Sequence, residues 1–206
     1  MVSPVQNSDK QEKSDQYHSW WNQLSETWKQ AFNETLFQKK TVEIPTDEQL
    51  EMLWNLTVLR MAGPGAMFPN MSISLEDLSG VSDLVNLEIL VVVNHRIPSL
   101  KGLTKLNRLH SLFVFSNEIV SLEGIEELPG LKQLFINDNH IDSLLPLSGL
   151  VQLEAIHCAH NKLVSLEGIG RQHTALKDFF CLPNDGIWNS EVMRFETEYR
   201  IRCQKG

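Results

Sequence analysis

Leu87, Leu109, Leu131 and Leu153 stand 22 residues apart, and each opens the same pattern, L-x-x-[LI]-x-[VIC]-x-x-[NH]-x-[IL]-x-x-L. In one unit the slots are filled by Leu109, Leu112, Val114, Asn117, Ile119 and Leu122. The next units answer with Leu131, Leu134, Ile136, Asn139, Ile141 and Leu144, then with Leu153, Ile156, Cys158, Asn161, Leu163 and Leu166. A fixed period of this length builds a solenoid, because one unit cannot bury its apolar edge alone and must stack on its neighbours.

Within each unit the central residues alternate like a strand. Leu112 and Val114 point into the coil, and Phe113 and Phe115 point out. The Asn at the ninth slot turns the chain away from the strand, and its side chain can bond backbone groups that the turn leaves unpaired. Asn117, Asn139, Asn161 and Asn184 are expected to form such a ladder, with His95 as an imperfect substitute one unit earlier. After the Asn, Ser121–Ile125 reads SLEGI and is repeated identically at Ser165–Ile169. Its apolar residues at three-residue spacing suit short 3₁₀ turns on the outer side.

The period breaks in two places. Counting back 22 residues from Leu87 gives Gly65, whereas the first leucine slot before it is Leu56. The nine surplus residues, 65–73, are an inserted loop after the first strand, which carries Leu59 and Met61. One further residue is added near Arg171–His173, before the last unit of Leu176, Phe179, Cys181 and Asn184.

The flanks read differently. Residues 1–14 are polar and expected to be disordered. The rest, 15–206, is one domain. Trp20, Leu24, Trp28 and Phe32, widened by Trp21, Ala31 and Leu36, make one apolar stripe, which predicts a helix over about 16–38 and an N-terminal cap over 15–40. Thr41–Ile44 is a candidate edge strand ending at Pro45, and Thr46 or Asp47 a candidate N-cap for the helix that follows. The repeats occupy 41–185, with about six strands. A second amphipathic helix through Trp188, Val192, Phe195 and Tyr199 caps the C-terminal end over 186–206.

Composition narrows the function. The formal charge is -8 and the longest basic pair is Lys39-Lys40, against the clustered basic patch of nucleic-acid binders. No apolar run approaches bilayer length, so no membrane span is expected. The first 16 residues lack an apolar core typical of secretory signals, and three cysteines is an odd number. A cytoplasmic protein with reduced thiols fits both. The sequons at Asn33, Asn55 and Asn70 then read as chance.

With these motifs in place, residues 50–185 resemble the 22-residue class of leucine-rich repeats found in bacterial internalins and in a nuclear regulatory subunit of protein phosphatase. The resemblance implies an α/β solenoid, a horseshoe with a parallel concave sheet, a convex side of 3₁₀ turns and loops, and helical caps. It also implies non-catalytic recognition of macromolecules by the concave sheet, with no cofactor, and it names no partner.

Alternation locates the recognition face. Column five of the repeats reads Arg60, Val91, Phe113, Phe135, His157 and Phe180, and column seven reads Ala62, Val93, Phe115, Asn137, Ala159 and Leu182. Strands about 4.8 Å apart would set Val91, Val93, Phe113, Phe115 and Phe135 side by side as an apolar patch. Arg60, Asn137, Asp138, His157 and His160 would rim it. Aromatic anchors within a polar rim describe a protein-binding surface. The expected partner is another protein, and the runner-up is a second copy of this chain in a homodimer. His157, Cys158 and His160 do not read as a metal site, because alternation turns His157 out and Cys158 in. Neither a phosphate-binding glycine loop nor a nucleophile motif occurs in a plausible setting, so no enzyme is expected.

Overall fold

The computed structural model describes residues 4–206. Of the 1–14 segment expected to be loose, residues 1–3 lie outside the described residues, and from Pro4 the backbone is helical. The single N-terminal helix expected is two, α1 (Pro4–Gln23) and α2 (Glu26–Phe37). Ser25 separates them as an N-cap: its backbone is extended and its hydroxyl accepts from Trp28 N–H at 3.3 Å. The break lets the two helices bring their rings together. Trp20 lies tilted against Phe32 at 5.7 Å between centroids, and Trp28 against the same ring at 5.4 Å.

Thr41–Ile44 forms no strand; it passes over α2, where the buried Asn33 amide donates to the Thr41 and Glu43 carbonyls. Thr46 then caps α3 (Asp47–Trp54) in a capping box with Gln49, each side chain bonding the other's backbone N–H.

The repeats follow as parallel strands β1 (Val58–Ala62), β2 (Ile89–Val93), β3 (Ser111–Phe113), β4 (Gln133–Phe135), β5 (Ala155–His157) and β6 (Asp178–Leu182). Their register sets Leu59, Leu90, Leu112, Leu134, Ile156 and Phe179 in one buried row. Tight 3₁₀ turns at Ser79–Val81, Ile125–Glu127 and Leu145–Leu147 lie on the outer side. After the C-terminal helix α4 (Asn189–Tyr199) the chain returns as β7 (Gln204–Lys205), a seventh parallel strand that the repeat count did not foresee. Phe195 is the residue of α4 that is fully buried. Trp188, expected on the same buried stripe, stands at the helix N-cap and is 78% exposed.

Both ends of the stack are closed. Trp28 lies directly on Gly80 of the first outer turn and donates through its indole N–H to Asp77 at 2.8 Å. A Cβ on Gly80 would stand 2.1 Å from Trp28 Cδ2. Gly80→Ala is therefore expected to lower unfolding stability by roughly 2 kcal/mol through overpacking, measured by urea unfolding. A cost below about 0.5 kcal/mol would show that the cap is not seated there.

The insert performs a second closure. A strand at the end of a sheet leaves N–H and C=O groups bare. Here Asn70 bonds three of them on β1: its amide donates to Arg60 O, its side-chain oxygen accepts from Ala62 N–H, and its backbone N–H donates to Ala62 O. Glu34 of α2 holds the insert from the other side, accepting from both the Ser72 N–H and the Ser72 hydroxyl. Burial pushes the Glu34 carboxyl up, but the hydrogen bonds from Gln30 and then from Ser72 together draw it below its usual pKa. Of the three sequon asparagines, Asn33 is buried and Asn70 is engaged on the strand, whereas Asn55 is exposed.

The Asn ladder lies beneath the sheet. Each Asn side chain accepts from a backbone N–H 20 or 21 residues earlier: Asn117 from Ile97, Asn139 from Ile119, Asn161 from Ile141 and Asn184 from Leu163. Each amide also donates to a carbonyl of its own coil and to one in the coil before. The carbonyls of Val114, Ile136 and Cys158 thus sit between two asparagines each. His95 copies half of this arrangement. Its Nδ1 accepts from Leu75 N–H at 3.1 Å, 20 residues earlier, while its buried Nε2 has no partner in hydrogen-bonding geometry.

Candidate protein-binding face

Register decides which outward residues meet. Column five runs unbroken as Arg60, Val91, Phe113, Phe135, His157 and Phe180 across β1 to β6. Four of these residues form a continuous column of rings, stacked at Phe135–His157 and tilted at the other two contacts. Phe113 meets Phe135 at 4.6 Å between centroids, Phe135 meets His157 at 4.0 Å, and His157 meets Phe180 at 4.3 Å. All four are half-buried, shielded by one another and open to the outside of the coil. His157, expected on the rim, stands inside the column. Burial holds its pKa below the usual histidine range, opposed by the charge of Asp178. At neutral pH it is therefore a neutral aromatic ring in a row of phenylalanines, and not a cation.

Column seven is less open than alternation implied. Val93 is only 4% exposed, which removes it from the accessible patch. Its carbonyl accepts from Gly63 N–H where the chain leaves β1, and Gly65 lies near the next residue, Asn94. Ala159 is likewise buried, beside Gly206. Phe115 and Asn137 remain half-exposed, and Asn137 donates to Asp138 at 2.6 Å. Val91 is half-buried and continues the ring column toward Arg60, which is exposed. His160, at the rim, is exposed too.

Two groups of residues on this face escaped the reading of the sequence. One is column three, Val58, Ile89, Ser111, Gln133, Ala155 and Asp178, which the same register aligns beside the rings. The same alternation predicts it, two residues before column five. Ser111 and Gln133 are joined there by a 2.9 Å hydrogen bond, and Lys177 and Glu154 by a 3.0 Å ion pair at the margin. The other is the tip of the insert. Arg60 donates to Phe68 O at 2.7 Å, which fixes the tip beside the N-terminal end of the ring column, with Met67 86% and Phe68 72% exposed. Two large apolar residues at the tip of an insertion were the available signal.

Stacking also limits what the face can recognise. Each inner ring has both π faces against its neighbours, so a ligand meets ring edges, whose C–H groups carry partial positive charge. Such edges favour apolar groups and carbonyl oxygens, whereas cation–π binding needs an open ring face. Cys158 points inward behind His157 and is buried, so the two do not present a joint ligand set. Among the described residues, no helix is long and apolar enough to cross a membrane.

No family model and no curated protein matches the chain. Solved structures do. A leucine-rich repeat protein of Leptospira interrogans superposes with a TM-score of 0.60 at 22% identity, over 79% of this chain and 40% of that one. An internalin of Listeria monocytogenes gives a TM-score of 0.49 at 19% identity, over 76% of this chain and 55% of that one. The chain thus spans well under two thirds of either protein. With the 22-residue period, the stacked parallel coils and the first of these likenesses on the page, the fold is that of a leucine-rich repeat solenoid.

Proposed function

We propose that the protein is a non-catalytic recognition module that binds another protein through the outward face of its sheet. The observation that carries this reading is the ring column of Phe113, Phe135, His157 and Phe180. It is an aromatic surface left open on a sheet whose other face is the core. Nothing in the coil needs those rings outside, since the Asn ladder and the buried leucine row already hold the strands together. Cross-strand aromatic pairs do add stability, about 0.2–1 kcal/mol each. Four rings in succession, flanked by Arg60, Asn137 and an apolar insert tip, match the anchor-and-rim composition of an interface centre.

The test is a comparison of two chains. Phe113→Asp combined with Phe135→Asp is expected to weaken partner capture by about thirtyfold or more, the cost of losing an interface centre. The far-ultraviolet circular dichroism should remain that of the parent. A folded double variant that retains every captured protein would overturn the reading. Light scattering of the parent chain separates the two occupants: a monomer at all concentrations supports a different protein, and a tight dimer lost in the double variant supports self-association.

A further inference from the structure

The protein carries three free cysteines, and the fold gathers all of them at one end. Cys158 on the coil of β5 and Cys181 in β6 fill successive inward slots and are fully buried. Cys203 comes from beyond α4. Its backbone N–H donates to Glu196 Oε1 at 2.8 Å, which ties it to that helix, and the next residue begins β7. β7 pairs with β6 through Phe180 and Leu182, with a register shift at Cys181 between them, and Cys203, just before β7, packs against the core that Cys181 fills. The Cys203 side chain is near enough to Cys181 to push that thiol up in pKa. Paired neighbouring strands and two thiols packed on one core are conditions a disulfide requires.

We infer that Cys181 and Cys203 are an oxidisable pair, and that a peroxide converts them to a disulfide which staples β7 and α4 onto β6. The thiols are unequal. Contact with Cys203 and then burial push Cys181 up in pKa, and burial pushes Cys158 up, so neither starts the reaction. Cys203 is the partly exposed one. Its thiolate attacks hydrogen peroxide, the O–O bond breaks, and the hydroxide released takes up a proton to leave as water, giving a sulfenic acid. The Cys181 sulfur then attacks the Cys203 sulfur. The S–O bond breaks, and the departing hydroxyl leaves as water with the Cys181 proton. One peroxide and two thiols give one disulfide and two waters. The staple closes the chain around α4 and fixes the strand paired to Phe180, the last ring of the column. The pairing stands whether or not the face binds a protein.

The full-length chain, treated with hydrogen peroxide and digested without reduction, is expected to yield a peptide linking Cys181 to Cys203, with Cys158 recovered as a free thiol. The melting temperature should rise by roughly 5–10 °C, the scale of closing a loop of this length in a chain of this size. Cys203→Ser should lose both the linked peptide and the rise, and Cys158→Ser should keep them. A Cys158–Cys181 link, a disulfide between two copies, or oxidation that stops at a sulfinic acid on Cys203 would each overturn the pairing.

Discussion

Asn139→Ala is expected to lower unfolding stability by about 4 kcal/mol, whereas Asn137→Ala, two residues away, should cost no more than about 0.5 kcal/mol. Position in the coil makes the difference. Asn137 is half-exposed, and its side chain bonds its neighbour Asp138. Asn139 is buried, and its loss has three consequences. Ile119 N–H is orphaned inside the stack, which alone costs about 1–3 kcal/mol. The bonds to Val114 O and Ile136 O also disappear, at about 0.5–1.5 kcal/mol each. Those carbonyls are not left bare, because Asn117 still reaches the first and Asn161 the second. The total therefore stays below the sum of three orphaned groups. Urea denaturation of both variants measures the contrast, and equal costs would mean that the ladder does not hold the coils.

The second large effect concerns acid. His95 fills the Asn slot of the first full repeat, and burial holds its pKa down at about 4, with the Met61 backbone opposing. In the unfolded chain a histidine titrates near 6.5. Above pH 6.5 the ring is neutral in both states and nothing depends on pH. Below it the unfolded chain gains a proton that the folded ring refuses, so stability is lost as pH falls from 6.5 to about 4. The shift corresponds to roughly 3 kcal/mol across that window. Other groups titrate there as well, so the test is a difference. His95→Asn should remove this part of the acid sensitivity. It should also gain about 1 kcal/mol at pH 7, because the amide restores the donor that Nε2 leaves unmatched. Parallel stability-against-pH curves for parent and variant would show instead that His95 takes up its proton without unfolding.

The period made the core readable from the residues. A 22-residue repeat fixes which side chains lie opposite one another, so the buried row from Leu59 to Phe179 and the outward row from Arg60 to Phe180 followed from counting. What counting missed came from contacts between repeats and the segments that interrupt them. Val93 has an outward slot, yet it is buried where the chain leaves β1; no local pattern says which way nine extra residues will lie. Thr41–Ile44 has the β-branched residues of a strand, but the groups it would have paired with on β1 are bonded by Asn70, which lies further along the chain. Ser25 is an N-cap hidden by a stripe that continues in phase on both sides of it. β7 is two residues without a repeat signature, and its place depends on how α4 turns the chain back. The residue type of His157 points to the polar rim, but its register sets it within the ring column. Between two phenylalanines a neutral imidazole packs as a third ring.

The insert has one more consequence, for how copies of the chain meet in solution. A parallel sheet with a bare first strand is a template on which another chain can add strands without limit. Here the strand comes with its own stopper, a single asparagine occupying the positions a newcomer would need. An incoming strand would have to displace that asparagine, so the side chain that seats the loop also obstructs the growth of filaments from that end.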